Sequence, residues 1–416
     1  MDNVTRRKFL IASGVVGASA VAAGAGAYTI ADILGTADTA APSDRVLVLL
    51  TLYGGNDGLA TVVPYADAAY HDARPQMAYD AADVLRLDES TGLNPALAGL
   101  KSLYDGQRLA IVRGVGYPKP DRSHFRSMDI WQTASPQRPG TTGWLGRWLD
   151  SAGGDPRTAI SLEPVLPPVL AGQTSAGAAV ALGGAELPGA VTPDDLAALG
   201  HPSAGEGPLQ ARAASCFADL IKVDQLIGEA TESAEAADDD QGEEPATATG
   251  GAPATLAAQL GVVATCVEAG VMTRVYSVSQ GGFDFHANGK VSQEAQLRVV
   301  DAAVSGFLTR MAKTARGQRV VMMIYSEFGR RVRANASDGT DHGTASNVLL
   351  AGAAVHGGRL IGDQPSLTDL DDGDLKHHTD FRDLYAAVLT DVLAADPAPV
   401  LAGWTGRMDG LFTGGR

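Results

Sequence analysis

Between Arg45 and Tyr53 the chain reads RVLVLLTLY, an apolar run with no alternation of polar and apolar positions. A strand with one face in water alternates with period two. A continuous run belongs to a strand covered on both faces, the usual state of a parallel sheet sandwiched by helices. Comparable runs recur at Arg108–Gly116 (RLAIVRGVG), Met272–Ser279, Arg319–Tyr325 (RVVMMIY) and Asn347–Val355. Helical spacing separates them, at Leu93–Tyr104, Thr255–Glu268, Ser292–Ala315 and Asp380–Ala394. In the third of these, Leu297, Val300, Val304, Phe307, Leu308 and Met311 form one stripe. The pattern predicts an α/β fold with a mostly parallel central sheet between layers of helix.

The 416 residues exceed what one typical core supports, so the domain should carry an insertion or be followed by another. Residues 153–253 read as the insertion, an inserted cap region. From Gly153 to Pro208 they are rich in Ala, Gly and Pro without a sustained period, and Ala211–Ile227 is helical. Gly228–Pro253 is acidic and nearly free of apolar bulk, the composition of a disordered loop. The formal net charge is −16. Such a balance repels a phosphate backbone and argues against a nucleic-acid partner. Two cysteines, Cys216 and Cys266, are too few for a disulfide scaffold. They could bridge the acidic stretch or serve as small buried residues.

The N-terminus has a different purpose. Arg6-Arg7-Lys8-Phe9-Leu10 precedes an Ala/Gly/Val/Ile run reaching about Leu34. Basic residues before an apolar segment mark an export signal, and adjacent arginines match the twin-arginine address. Residues 1–41 are therefore read as a signal segment for the twin-arginine export machinery, with small residues at Thr39-Ala40-Ala41 for cleavage. Residues 42–416 are then one large domain, periplasmic, cell-envelope or secreted. An uncleaved membrane anchor is the alternative reading of the same run.

The polar residues collect at strand ends. Asp57 lies in the GGNDG turn after the first run, Asp284 and His286 follow the third, and Glu327 follows the fourth. Ser123-His124 comes a few residues after the second, and Asp341-His342 precedes the last. In open α/β sheets ligands bind at that edge. Carboxylates and imidazoles converging there, with no thiols, have the composition of a site for zinc, manganese or calcium. Each residue also has a local reading. Asp57 could cap its turn, Ser123 could cap a helix, the histidines could be ordinary loop residues, and Glu327 could neutralise Arg330 or Arg331.

The segments YGGNDGL, SHFRSMDIW, GWLGR, GGFDFH, SEFGRR and TDHG with LLAGAAVHGG together resemble a domain-of-unknown-function family of twin-arginine-exported proteins. That family is placed in the alkaline phosphatase/sulfatase superfamily. The resemblance implies an alkaline-phosphatase-like fold and metal-dependent hydrolysis of phosphate or sulfate esters. Under it Asp57, Asp284, His286, Glu327, Asp341 and His342 would bind metal. Ser123 would be the nucleophile beside His124, and Arg330, Arg126 or Arg122 would clamp the anionic group of the substrate. Phe328 stands where superfamily phosphatases carry a second ligand, and the Asp284-to-His286 spacing is short. Two-metal, single-metal and vestigial sites therefore all remain open. No modifiable Cys signature for sulfatase chemistry is present. The competing reading is a non-catalytic cell-envelope binding protein that retains the fold.

Overall fold

The computed structural model describes residues 30–41, 44–138, 140–163, 166–180, 182 and 255–414. Twelve strands lie within them: β1 Val46–Leu52, β2 Val62–Val63, β3 Leu85–Arg86, β4 Gly92–Leu93, β5 Leu109–Gly116, β6 Ala159–Ser161, β7 Ala178–Ala179, β8 Val275–Gln280, β9 Val320–Tyr325, β10 Ser346–Ala351, β11 Arg359–Ile361 and β12 Thr379–Asp380. Nine form the central sheet in the order β11-β5-β10-β9-β1-β8-β6-β7, with β12 also paired to β5. β1 lies at its centre, parallel to both β8 and β9. The remaining three form a small antiparallel sheet, β2-β4-β3.

The apolar runs are covered on both faces, as their lack of alternation requires. Val48 and Leu50 point into one core with Leu297, Val300 and Val304 of the helix Gly289–Met311. Leu47 and Leu49 point into the other, with Phe381, Leu384 and Tyr385 of the helix Phe381–Ala387. All four strand residues are 0% exposed. Each Å² of apolar surface removed from water contributes about 25 cal/mol, so burial on two faces is what chiefly stabilises this sheet.

One strand departs from the parallel pattern. β10 runs antiparallel to both β5 and β9. Its N-terminal end therefore lies at the edge where β1, β5, β8 and β9 end. A residue just before β10 thus shares an edge with residues just after the other four.

The stretch read as an insertion contributes to the sheet. β6 and β7 extend the central sheet beyond β8, so residues 159–161 and 178–179 belong to the sheet and not to an insertion. The expected helix at 211–227 and the acidic loop at 228–253 lie outside the described residues. At the other end, the short helix Ile30–Leu34 packs onto the domain, with Ile30 and Ile33 buried in one core and Asp38 N donating to Ala269 O. The packed part of the chain thus reaches back into the segment read as an export signal. Among the described residues no helix is long and apolar enough to cross a membrane. Cys266 is buried, and Cys216 lies outside the described residues.

Candidate metal centre

Four donor atoms meet where these strand ends converge. Asp284 and His286 sit in the loop after β8, His124 opens the helix His124–Thr133 after β5, and His342 precedes β10. His342 Nε2 lies 3.0 Å from His124 Nε2 and 3.1 Å from His286 Nε2. Asp284 Oδ1 is 2.9 Å from His286 Nε2, 3.1 Å from His342 Nε2 and 3.6 Å from His124 Nε2. The ligand atoms of His124, Asp284 and His342 all fall within 4.8 Å of one another.

The protons on these rings decide what the cluster is. His342 Nδ1 lies 2.9 Å from the backbone oxygen of Arg122, which can only accept, so the neutral ring carries its proton on Nδ1. His124 Nδ1 lies 2.7 Å from Glu327 Oε1 and is fixed the same way. His286 Nδ1 faces Asp341 Oδ1 at 3.5 Å. In the neutral rings of His124 and His342, Nε2 then presents a lone pair to the other ring and to Asp284. With no proton to share between them, such close nitrogens repel, and a cation resolves the conflict. The donor set fits one. Ligands about 2.0–2.1 Å from a tetrahedral zinc lie roughly 3.3 Å apart, and the donor atoms of His124, Asp284 and His342 lie 3.0–3.6 Å from one another. Orienting an imidazole through a carboxylate or carbonyl on its other nitrogen is the usual support of a metal-binding histidine.

Asp284 is held from behind. Burial alone would raise its carboxyl, but the hydrogen bond and charge of Arg330, with His342 and His286, outweigh that and lower it to about 2. Arg330 Nη2 sits 2.7 Å from Asp284 Oδ1. Burial lowers the His342 imidazole below its ordinary value, against the neighbouring Asp284 carboxylate, which favours the protonated ring. Gly54 makes the crowding possible. Its φ is +109°, and a Cβ there would stand 2.8 Å from the backbone nitrogens of Phe283 and Asp284. Its own N–H donates to Glu327 Oε1 at 2.9 Å.

Residues 114–416 match a family model described as "Protein of unknown function (DUF1501)". The match spans more than half of the sequence and includes all four converging residues. The chain belongs to this family. No curated protein matches it in sequence. Among solved structures it is similar to a protein in the alkaline phosphatase superfamily from Vibrio parahaemolyticus. That pair shares 12% identity at a TM-score of 0.37, covering 98% of this chain and 78% of the other. It is also similar to the lipoteichoic acid synthase LtaP from Listeria monocytogenes, at 10% identity, TM-score 0.36 and coverage of 91% and 78%. The phosphonate monoester hydrolase SpPMH from Silicibacter pomeroyi gives 9%, 0.34, 87% and 78%. These likenesses are distant, and the chemistry of this DUF1501 chain rests on its own residues.

The structure sorts the expected site residues differently from the sequence. Asp57, expected as a ligand, caps the helix Gly58–Thr61 and forms a buried ion pair with Arg74 at 2.7 Å, so its carboxylate is already occupied. Glu327, also expected as a ligand, is 2% exposed and accepts from Gly54, Ser326 and His124, so both of its oxygens are engaged within the protein. Asp341, expected as a ligand, is exposed and lies 3.5 Å from His286 Nδ1. Arg330, expected to clamp substrate, is 2% exposed and donates to Gly55, Thr340, Gly54, Phe283 and Asp284. Buried among these acceptors, it is engaged within the protein. Arg122 and Arg126 are paired to Asp372, Asp374 and Asp129. Sequence reading placed His124 in catalysis; here its Nε2 stands among the donor atoms. The signal that could have revealed this was the direction of β10, which aligns His342 with the start of the His124 helix. Ser123 occupies the N-cap position, but its side chain makes no cap hydrogen bond and the residue is exposed.

Proposed function

We propose that this protein is a metal-dependent hydrolase of phosphate or sulfate esters, exported by the twin-arginine route to the periplasm, cell envelope or exterior. The observation that carries the reading is the meeting of the His124, His286 and His342 Nε2 atoms with Asp284 Oδ1 at a sheet edge open to solvent. Their side chains are 25–46% exposed, which leaves an approach for a ligand. His124, His342 and Asp284 would hold one divalent cation, with His286 beside His342 and Asp284, and zinc matches the nitrogen-rich set best. When bound, such a cation polarises a phosphoryl or sulfuryl oxygen.

The chain supplies the rest. Ser123 leaves the first N–H groups of the helix His124–Thr133 without a side-chain acceptor, and such a terminus favours the negative charge of an ester or its transition state. The free Ser123 hydroxyl is the candidate nucleophile. Its attack would break the bond from phosphorus or sulfur to the leaving alcohol. Arg330 and Glu327 hold Asp284 and His124 in place. Asp57 and Arg74 brace the adjoining loop.

One observation favours the non-catalytic reading, in which the pocket only binds. Arg122, Arg126 and Arg330 are all paired to carboxylates, so a bound anion would have to compete with those partners. Metal analysis of the purified chain, followed by turnover of a phosphate- and sulfate-ester panel, separates the two. Stoichiometric metal with turnover that Ser123→Ala abolishes supports the hydrolase. Metal without turnover on the panel supports binding alone, and absence of metal removes the hydrolase reading. Export is tested by Arg6→Lys with Arg7→Lys, which should retain the protein in the cytoplasm.

A further inference from the structure

Beside the cluster lies a cavity of about 280 Å³. Phe328 belongs to both places. Its ring packs 4.8 Å from that of His124 and 4.9 Å from that of His342, and it also lines the cavity. Tyr117 and Trp131 add two more aromatic walls, and Lys119, Lys376 and His377 bring basic groups. A benzene-sized cavity is about 150 Å³, so this one takes a six-membered ring with a substituent. Aromatic walls favour flat rings, and lysines favour an anionic substituent.

Two features mark the basic wall as more than surface charge. Lys119 makes no ion pair or hydrogen bond among the described residues, whereas most other basic residues near the site are paired. It also stands between Pro118 and Pro120 at φ +55°, a left-handed backbone that lysine rarely adopts. Asp371 also lines the cavity, and Lys376 pairs with Asp369.

We propose that this cavity is the subsite for the alcohol portion of the ester, and that it takes a flat six-membered ring bearing a carboxylate or similar anion. The inference rests on the hydrolase reading for the word alcohol, but not for the binding itself. The two are tested apart. Calorimetric titration of the full chain, with and without prior chelation, uses 4-hydroxybenzoate as the charged probe and phenol as the neutral one. The expected result is saturable binding of 4-hydroxybenzoate at least about tenfold tighter than phenol, a difference of roughly 1.4 kcal/mol, whether or not metal is present. Lys119→Glu and Lys376→Glu change exposed side chains and should fold normally. Each should erase that preference while leaving phenol binding unchanged. No saturable binding, equal binding of both probes, or a preference that survives both charge reversals would overturn the proposal. Turnover of 4-carboxyphenyl phosphate against phenyl phosphate then tests the link to catalysis. Charge reversal should raise KM for the first ester alone, with kcat unchanged. Intact probe binding with no turnover would sink the hydrolase and leave the cavity as a binding site.

Discussion

Glu163 offers a direct test of how burial sets the energetics of this sheet. It follows β6, is 1% exposed, and accepts hydrogen bonds from Tyr53 at 3.1 Å and Ser277 at 2.9 Å. Burial raises its carboxyl from 4.5 to about 7, against the hydrogen bonds that pull it down. The folded state therefore holds this proton more tightly than the unfolded chain. Stability from this group is complete below pH 4.5 and is lost as pH rises through the window to about 7. Raising a carboxyl from 4.5 to about 7 corresponds to about 3 kcal/mol, at 1.36 kcal/mol per pH unit. Glu163→Gln keeps the shape and removes the titration, since the neighbouring hydroxyls can turn to accept from its amide. Urea unfolding of both proteins between pH 4.5 and 8 measures the difference. Near pH 5 the two should agree within about 1 kcal/mol, while at pH 8 the Gln variant should be more stable by about 2–3 kcal/mol. Parallel stability curves across the window would refute the argument that a buried, weakly compensated carboxylate sits here.

The metal centre yields further expectations. Asp284→Asn and His342→Ala should each strip bound metal from the purified chain, read by elemental analysis, while circular dichroism stays native. Arg330→Met should cost about 10–100-fold in metal affinity, as removal of an orienting partner does, and competition with a chelator of known strength measures it. Ser123→Ala should change stability by less than about 0.5 kcal/mol, because no cap bond is lost. Ester turnover should nonetheless disappear, and retained turnover would end the nucleophile assignment. Arg74→Met should destabilise by about 3–5 kcal/mol, because it leaves the buried Asp57 carboxylate unpaired. Chemical denaturation checks this, with metal content expected to remain near wild type.

Much of the fold was legible in the chain itself. A run such as RVLVLLTLY has nowhere to go but between two apolar layers, and the structure places it at the centre of the sheet. The helix stripe from Leu297 to Met311 was equally plain, because its period leaves one buried face. β6 and β7 were not legible, because strands of three and two residues carry too little pattern to stand out from the Ala/Gly/Pro-rich stretch around them. Where the acidic residues and the histidines would collect was also foreseeable, since strand ends at one edge gather in space.

Which of those residues would meet at one point was not. A carboxylate after a strand reads the same in sequence whether it faces a pocket or a neighbouring arginine. Asp57 found Arg74 and a helix terminus, and Glu327 found His124. Arg330 spent its donors on four backbone oxygens and Asp284. None of these partners is near in sequence except Gly58–Ala60, so no local pattern could announce them. Which long segments become buried strands and which become helices was determined by the sequence alone, because periodicity and hydrophobicity act over a few neighbouring residues. The choice of His124, Asp284, His286 and His342 was made by tertiary structure. It depended on β10 running antiparallel, and on second partners, 200 or more residues apart for His124 and His342, that fix each ring's proton.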